Sequence, residues 1–351
     1  MEEKKLLIVL GSMGRGGAER VISYISDYVA SKKWKVWIVL LLYNKVDYVL
    51  HDNVEIVDLS GNTNSRIKRL PYWIFGLRKL IKQVKPNSVL SFAARINIIT
   101  QMACLGLNTK VIVSERNDPY SDGRSKVVDM LTNLLYPRAA VVVFQTKRAK
   151  TYFNKLNLKN ACIIPNPVAV QCKAVAPDMK KIVTVGRLTA QKNQKMLIDA
   201  FASVQKKIPN IQLYIYGEGE LYQDLSDQIE ELGLVGSVFL KGNVPDVHQQ
   251  IADASMFVLP SDYEGLSNAL LEAMMMGLPC ISTDCAGSDE YIVSGKNGLL
   301  TRIGNKSDME EGIYRLLNNR DEAQQFGRLA AETVKILYKD VIMEKWYTVI
   351  T

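Results

Sequence analysis

Two glutamates, Glu264 and Glu272, stand eight residues apart, on either side of a predicted helix start. The apolar run 256–259 before them is typical of a short strand. Helical periodicity begins at Ser267 or Asn268, and both residue types are favourable at an N-cap. The spacing therefore places Glu264 in the turn between strand and helix, and Glu272 about two turns into the helix.

This turn has the features of a phosphate site with sugar-binding groups beside it. A helix N-terminus offers free backbone N–H groups and a partial positive charge. Gly265 lets the backbone approach a ligand closely. A carboxylate on each side can accept hydrogen bonds from hydroxyl groups, so the pattern favours a nucleotide sugar. Any αβ unit contains a strand, a turn and a helix, however, and the same spacing without a ligand remains an open alternative.

A second candidate segment follows the predicted strand 181–185. It runs through Gly186 and Arg187 to Lys192 and Asn193, just before another helical pattern. A pair of cations directly after a strand end can neutralise a pyrophosphate leaving group. From the local sequence alone, Arg187 and Lys192 are equally well explained as ordinary surface charges.

A glycine-rich segment lies near the start of the chain, after the predicted strand 6–10. Residues 11–20 lead into a helical pattern, which makes a further anion cradle. The segment is not G-x-G-x-x-G, and the strand 37–42 carries no acidic residue for a ribose, which argues against a dinucleotide site. No Gly-Lys-Ser/Thr follows, so it is not a P-loop.

A polar cluster, residues 114–119, follows the predicted strand 110–113. Ligands of α/β proteins bind at the carboxyl ends of strands, which favours a site here. Turn chemistry accounts for the same residues, because Asn-Asp-Pro forms a good turn by itself. Both interpretations remain open.

The segment 69–85 is predicted to form an amphipathic helix started by Pro71. One interpretation is a surface helix with a solvated basic face. The other is a helix at a membrane surface, with aromatic rings at the level of the lipid headgroups. The apolar face holds Trp73, Ile74, Leu77, Leu80, Ile81 and Val84; the basic face holds Arg78, Lys79, Lys82 and Lys85; the aromatic residues are Tyr72, Trp73 and Phe75. As residues that contact membrane or acceptor we predict Arg69, Trp73, Arg78, Lys79 and Lys82.

Charge is distributed unevenly along the 351 residues, whose net charge is +8. Residues 1–172 contain 26 Lys and Arg against 12 Asp and Glu, and the remainder contains 18 against 24. No acidic residue stands between Asp58 and Glu115, where nine basic residues lie. A basic half suggests an anionic partner, such as lipid headgroups, a lipid pyrophosphate or nucleic acid.

Composition restricts the class of protein. The apolar fraction of 48% supports sizeable cores. The five cysteines are odd in number and contain no Cys-x-x-Cys pair, which fits a reducing compartment and argues against a disulfide framework or a zinc site. No apolar stretch approaches the length needed to cross a bilayer. We therefore expect a cytoplasmic protein.

Strands alternate with helices in two series, which predicts two doubly wound parallel-sheet domains facing each other across a cleft. The stiff, extended segment 163–168 stands where the charge balance changes sign, and we take it as the boundary. The expected domains are residues 1–168 and 169–334. A helix at about 335–351 is expected to pack back on the first domain.

The motifs taken together closely resemble those of the retaining glycosyltransferases of family 4, which have the GT-B fold of two Rossmann-like domains. The resemblance covers nearly the whole chain, and its strongest motif is the pair of glutamates with Gly265 directly after the first. The motifs are, in order, Gly16-Gly17-Ala18-Glu19-Arg20, Ile164-Pro165-Asn166-Pro167, Gly186-Arg187 with Lys192-Asn193, Gly217-Glu218-Gly219, and Glu264 to Glu272.

The resemblance implies roles for individual residues. Arg187 and Lys192 would bind the donor diphosphate, and Glu264 would bind the hydroxyls of the donor sugar. These three residues are the expected catalytic residues. No Asp-x-Asp is present, so no metal and no other cofactor is expected. Transfer would retain the anomeric configuration, and no protein nucleophile is assigned. The expected donor-binding residues are Gly16, Gly17, Arg116, Gly186, Gly217, Asn243 and Val244 (near the base), Gly265, Leu266, Ser267, Asn268 and Glu272 (on the ribose).

One departure from the family pattern concerns Arg116. Many relatives carry a histidine in the loop after the strand matched here by 111–113, whereas this chain has Arg116. We expect Arg116 to contact the donor phosphate or sugar.

Within the family, the basic N-terminal half is similar to enzymes that extend glycans on polyprenyl diphosphate. The expected function is transfer of a hexose or N-acetylhexosamine, from a UDP-linked donor, at the inner face of the plasma membrane. The alternatives are a nucleotide-sugar 2-epimerase of the same fold, a basic nucleic-acid-binding protein, and an interaction protein without catalytic activity. We expect no nucleic-acid partner, because no recognition motif accompanies the basic charge.

Overall fold

A computed structural model of the chain describes residues 3–14, 16–61, 66–170, 172–285 and 287–351, and of residues 66–68 the backbone only. Arg15, in the glycine-rich segment 11–20, thus lies outside the described part, as do the side chains of Arg66 and Lys68, two of the nine basic residues between Asp58 and Glu115. The chain divides into two compact units. Unit 1 comprises Met1–Pro167 and Lys339–Thr351, and unit 2 comprises Val168–Tyr338.

Unit 1 is built on a seven-stranded sheet in which every described strand pair is parallel. Its strand order is β3-β2-β1-β4-β5-β6-β7. The strands are β1 (Lys5–Leu10), β2 (Lys35–Leu40), β3 (Val54–Asp58), β4 (Ser88–Phe92), β5 (Lys110–Glu115), β6 (Val141–Phe144) and β7 (Ala161–Ile163), and the helices are α1 (Gly17–Ser31), α2 (Arg66–Val84), α3 (Ala94–Cys104), α4 (Lys126–Leu135) and α5 (Lys147–Tyr152).

Unit 2 is built on a six-stranded sheet, again with parallel pairs, in the order β10-β9-β8-β11-β12-β13. The strands are β8 (Asp178–Val185), β9 (Gln212–Tyr216), β10 (Val238–Gly242), β11 (Ala254–Leu259), β12 (Cys280–Thr283) and β13 (Leu299–Thr301), and the helices are α6 (Gln194–Lys207), α7 (Tyr222–Glu231), α8 (Val247–Ile251), α9 (Asn268–Met276), α10 (Lys306–Asn318) and α11 (Arg320–Val334).

The last helix, α12 (Lys339–Ile350), belongs to unit 1. Trp346 stacks on Phe92 of β4, with the ring centroids 5.5 Å apart. The hydroxyl of Ser88 donates to the carbonyl of Ile350 at 2.6 Å. Aromatic packing and a buried hydrogen bond thus fix the end of the chain on the first sheet.

The central strands are continuous apolar runs because helices cover both faces of a parallel sheet. In β11, all six residues are buried, and in β1 five of six. In each sheet the strand order reverses beside the first strand of the unit, between β1 and β4 in unit 1 and between β8 and β11 in unit 2. Ligands of open α/β sheets bind outside the carboxyl ends of the strands at such switch points. The fold therefore predicts a ligand site in unit 2 at the loops after β8 and β11.

Several predicted boundaries are wrong. Helix α2 begins at Arg66 rather than at 69, and Pro71 lies inside it. The edge strand β3 was not predicted. Most of its residues are exposed, and its sequence contains no apolar run. The last helix, expected at about 335–351, begins at Lys339 and ends at Ile350. None of the helices in the described residues is long and apolar enough to span a bilayer.

Candidate active site

Lys192 and Glu264 form an ion pair at the switch point of the unit 2 sheet. Lys192 ends the loop after β8, and Glu264 lies in the loop after β11, the neighbouring strand. The same oxygen, Oε1 of Glu264, accepts a hydrogen bond from the hydroxyl of Ser261 at 2.8 Å. The side chains are only 16% and 8% exposed. This arrangement holds a carboxylate and an ammonium group side by side where the fold predicts a ligand.

Further hydrogen bonds join the two loops. The backbone N–H of Asp262 donates to the carbonyl of Gln191 at 2.9 Å. The amide of Asn193 donates to Asp262 at 2.7 Å, and its oxygen caps the first turn of α6 through the N–H of Met196. Asn193 adopts a left-handed conformation (φ 45°) that asparagine tolerates better than most residues. The Lys192 side chain is therefore presented from a fixed turn.

Gly217 allows the loops after β8 and β9 to touch. A Cβ on Gly217 would lie 2.0 Å from the carbonyl oxygen of Gly186, and its φ of +135° is strained for other residues. The N–H of Gly186 donates to the carbonyl of Tyr216 at 2.9 Å. The structure thus gives Gly217 a backbone reason to be glycine, where its loop touches the turn that carries Gly186 and Arg187.

Arg187 is exposed at the end of this turn. Its carbonyl accepts from the side-chain amide of Gln194 at 2.9 Å, which fixes the backbone. Among the described residues, no carboxylate pairs with its guanidinium. Arg187 is therefore placed as a cation that an incoming anion can contact.

The loop after β11 continues into α9, and Ser267 is its N-cap. The hydroxyl of Ser267 accepts from the N–H of Leu270 at 3.4 Å. Gly287, with a φ of +84°, packs against this loop, and a Cβ there would lie 2.7 Å from the carbonyl of Gly265. The first turn of α9, with Gly265, Leu266 and Asn268 around its start, is thus the predicted helix N-terminus beside Glu264.

Glu272 is the fifth residue of α9, slightly more than one turn from its start rather than the two turns predicted. It is buried, and its Oε2 lies 3.0 Å from Nε2 of His248 on α8, which is also buried. His248 was not predicted as a site residue, because sequence spacing does not show that α8 and α9 are neighbours. Asn243 and Val244, predicted near the base, lie between β10 and α8.

Gly16 and Gly17 stand at the start of α1 in unit 1, with Gly16 as the N-cap. The hydroxyl of Tyr48 accepts from the N–H of Gly16 at 3.4 Å and donates to its carbonyl at 3.1 Å. Burial raises the pKa of Tyr48, which favours the protonated hydroxyl that donates in this contact. Tyr48 was not predicted, since nothing in its local sequence marks it.

Arg116 is buried inside unit 1 rather than presented to a ligand. Its guanidinium bonds the side chain of Asn166, reaches the carbonyl of Ile164 at 3.5 Å and lies over the ring of Phe92. Burial lowers the pKa of Arg116 to about 9. The expected contact between Arg116 and a donor is therefore not supported by this placement, because the family pattern gives a position in the sequence and not a side-chain direction.

The polar cluster 114–119 is used largely inside unit 1. Glu115 is buried, pairs with Arg124 at 3.1 Å and bonds the hydroxyl of Tyr136. Burial raises the pKa of Glu115. Asp118 pairs with Arg148 at 3.1 Å. These contacts fix the loop and favour the interpretation that the cluster is structural.

The predicted membrane residues of α2 fall into two groups, those that are buried or bonded within unit 1 and those that are exposed. Trp73 is 8% exposed and packs in the core of unit 1, so the prediction that it lies at a membrane surface is wrong. Arg78 donates to the carbonyls of Ala103 and Leu105 at 2.8 and 2.7 Å, and it serves the end of α3. Arg69 is half-buried and engaged in contacts of its own. The exposed residues of α2 include Tyr72, Phe75, Lys79 and Lys82.

In the described part of the chain, no three His, Cys, Asp or Glu side chains cluster as a metal site would require. The candidate site of unit 2 instead combines cations, a helix N-terminus and carboxylates.

Comparisons with known proteins agree with this fold. A family model described as Glycosyltransferase Family 4 matches residues 15–171, and one described as Glycosyl transferases group 1 matches residues 171–333. The chain is similar to an N-acetylgalactosaminyltransferase of Campylobacter jejuni that acts on N-acetylgalactosamine-N,N'-diacetylbacillosaminyl-diphospho-undecaprenol. The two are 28% identical over 90% of this chain and 91% of that protein. A second N-acetylgalactosaminyltransferase of that organism, whose name also specifies an undecaprenol-linked glycan, is 25% identical over 99% and 98%.

Solved structures of similar fold cover both units. Sucrose-phosphate synthase from Thermosynechococcus elongatus has a TM-score of 0.86 at 17% identity, over 99% of this chain and 98% of that one. The Anabaena protein HepE in complex with UDP and glucose has a TM-score of 0.82 at 17% identity, over 99% of each chain. The two family models together span nearly the whole sequence, and the chain is a glycosyltransferase of the GT-B fold that belongs to glycosyltransferase family 4.

Proposed function

We propose that this glycosyltransferase moves a hexose or N-acetylhexosamine from a UDP-linked donor to a glycan on polyprenyl diphosphate, with retention of the anomeric configuration. The observation that carries the donor half is the Lys192–Glu264 pair at the switch point of unit 2, beside the first turn of α9. A cation and a helix N-terminus suit a diphosphate, and a carboxylate suits sugar hydroxyls.

Each part of the donor has a matching group in unit 2. Arg187, Lys192 and the N–H groups at the start of α9 are assigned to the diphosphate, whose negative charge grows as the sugar leaves. Glu264 is assigned to the hydroxyls of the sugar, and Glu272 to those of the ribose. The new glycosidic bond forms on the face that the nucleotide leaves, and no protein nucleophile is assigned.

The acceptor proposal is supported by two relatives from Campylobacter jejuni, whose names specify undecaprenol-linked glycans. It is supported as well by the exposed side of α2. Tyr72 and Phe75 are 51% and 70% exposed, and Lys79 and Lys82 are exposed on the same helix. Aromatic and basic groups together suit the headgroup region of an anionic membrane. We therefore infer peripheral binding at the inner face of the plasma membrane.

Donor binding is proposed to need no metal ion, because Arg187, Lys192 and the helix N-terminus supply the positive charge that a metal would otherwise supply. This part of the proposal is tested together with the identity of the nucleotide.

A thermal-shift panel tests the donor site directly. The full chain is heated with UDP, GDP, ADP, CMP and their common sugars, each with and without EDTA. Selective stabilisation by UDP and UDP-sugars that EDTA does not reduce is the expected result. Stabilisation by another nucleotide would overturn the choice of UDP, and loss of the shift with EDTA would overturn the metal-free site.

Transfer is then measured with the stabilising donor and a polyprenyl-diphosphate glycan in vesicles. Formation of an α-linked product from an α-linked donor is expected. A product with inverted anomeric configuration would contradict the proposal. Hydrolysis or isomerisation of the donor without acceptor, at the rate measured with acceptor, would contradict it as well.

A further inference from the structure

His248 and Glu272, twenty-four positions apart in the sequence, join helices α8 and α9 of unit 2. Nε2 of His248 lies 3.0 Å from Oε2 of Glu272, and the two side chains are each 10% exposed. A buried carboxylate loses its water shell, so a directed donor strongly restricts how it can lie. The contact therefore restrains the direction in which Glu272 faces.

The position of His248 in the chain gives this contact a second consequence. Helix α8 starts at Val247, directly after the loop that contains Asn243 and Val244. The family resemblance implies that this loop lies near the base, and the proposed function assigns Glu272 to the ribose. His248 thus connects the segment assigned to the base with the carboxylate assigned to the ribose.

We propose that His248 is a positioning residue for nucleoside recognition, which holds Glu272 in the orientation that accepts the ribose hydroxyls. The inference rests on the proposed function. In this role the Nε2–H tautomer donates to Oε2 of Glu272, and the imidazole does not touch the donor. Its loss lets the carboxylate rotate, so ribose recognition weakens while the groups around the diphosphate and sugar stay in place.

Four proteins separate a positioning role from a structural one. H248L removes the hydrogen bond at similar volume. H248Q restores a donor, because the glutamine amide reaches about as far as the imidazole Nε2. Q249L makes an equivalent change at the next residue, which is exposed. E272A removes the carboxylate itself.

The readout is the ratio of kcat/KM for the UDP-sugar to that for its 2′-deoxy and 3′-deoxy ribose analogues. Wild type is expected to prefer the ribose donor by about 10- to 100-fold, since a deoxy analogue leaves a polar group of the site unpaired. H248L should lower this preference at least about fivefold, chiefly through KM for the ribose donor, and H248Q should restore most of it. Q249L should match wild type, and H248L should add nothing to E272A.

The inference is overturned if H248L keeps the wild-type preference, which includes an equal fall of kcat/KM for the ribose donor and its deoxy analogues. It is overturned as well if H248L lowers the preference and H248Q fails to restore it. Should H248L not fold, H248N replaces it, because the shorter amide cannot reach Glu272. The two proposals fail separately. If wild type turns over UDP-sugars and E272A loses the ribose preference but the His248 variants do not, only the role of His248 is wrong. If wild type uses no UDP-sugar, the proposed function is wrong and this role with it.

Discussion

Lys192 and Glu264, seventy-two positions apart in the sequence, pair directly across two neighbouring loops of unit 2. Each side chain neutralises the other at a place where neither has much access to water. In the proposed function a donor would bring a diphosphate to the lysine and hydroxyls to the glutamate. The pair is therefore read as a pre-formed site whose two members change partners when the donor binds.

Replacing Glu264 by alanine should reduce transfer by at least about 100-fold, because the group that holds the donor sugar near the reacting carbon is lost. The protein should stay folded, since Lys192 retains some contact with water and can extend toward it. Initial rates with saturating acceptor measure the effect, and circular dichroism with a thermal melt measures folding.

Glu310→Gln is the matched control, because Glu310 pairs with Lys207 at 2.7 Å on the surface of the same unit. It should leave turnover unchanged. Turnover near wild type in the Glu264 variant would remove Glu264 from the site.

Arg187→Ala should weaken UDP binding by about 10- to 100-fold. This loss corresponds to one charge-assisted hydrogen bond, which contributes about 1.5 to 3 kcal/mol. Uridine binding should not change, because uridine lacks the diphosphate. Calorimetric titration of both ligands gives the comparison. Arg328→Ala, which removes another exposed arginine of unit 2, should leave both affinities at wild-type values. An equal loss for uridine and UDP would mean that Arg187 supports the loop and does not bind phosphate.

The fold class is the part of the structure that sequence alone predicted best. Strands such as β1 and β11 are short apolar runs that end in turn residues, and that pattern is hard to produce in any other fold. The two parallel sheets are confirmed. Boundaries were less accurate where the pattern is weak, as at the edge strand β3, most of whose residues are exposed.

Side-chain placement could not be predicted in the same way. The sequence places Trp73 among helical aromatics, but only the packing of α2 on the sheet shows that it is buried. Arg116 illustrates the same limit, because a position aligned with a family motif does not determine which way a long side chain turns. The partners His248 and Tyr48 stand outside every motif, and the contacts they make depend on which helices and loops are neighbours.

The Asp308–Arg302 pair predicts a stability change in acid. Hydrogen bonds from Arg302 lower the pKa of Asp308 to about 2, from an ordinary value of 3.8. A carboxyl whose pKa is lower in the folded state stabilises the protein above its unfolded pKa, and that contribution disappears as pH falls from about 4 to about 2.

Asp308→Asn should therefore be less stable than wild type at pH 6, and the difference should shrink toward zero by about pH 2. Urea denaturation at several pH values measures it. In an Arg302→Leu background the same substitution should have much less effect at pH 6, apart from the loss of a charge near the start of α10. A difference that stays constant across this pH range would contradict the assignment.

Reversing the charges of Lys79 and Lys82 to glutamate should reduce binding to anionic vesicles by roughly tenfold or more per lysine, because each basic group near such a surface contributes about 1 kcal/mol and an acidic one is repelled. Co-sedimentation with vesicles that contain phosphatidylglycerol measures the effect, and added salt should weaken wild-type binding.

Lys155→Glu with Lys159→Glu is the matched control, since it makes the same charge change at two exposed lysines elsewhere in unit 1. Binding to duplex DNA at the same ionic strength separates the two anionic partners that the basic half suggests. If both double variants lose vesicle binding equally, net charge and not the α2 surface attracts the protein. If wild type prefers DNA, the membrane proposal is wrong. Loss confined to the Lys79 and Lys82 variant would place the membrane contact on the same helix face as Tyr72 and Phe75, whose rings can enter the headgroup region once the charges have brought the helix to the surface.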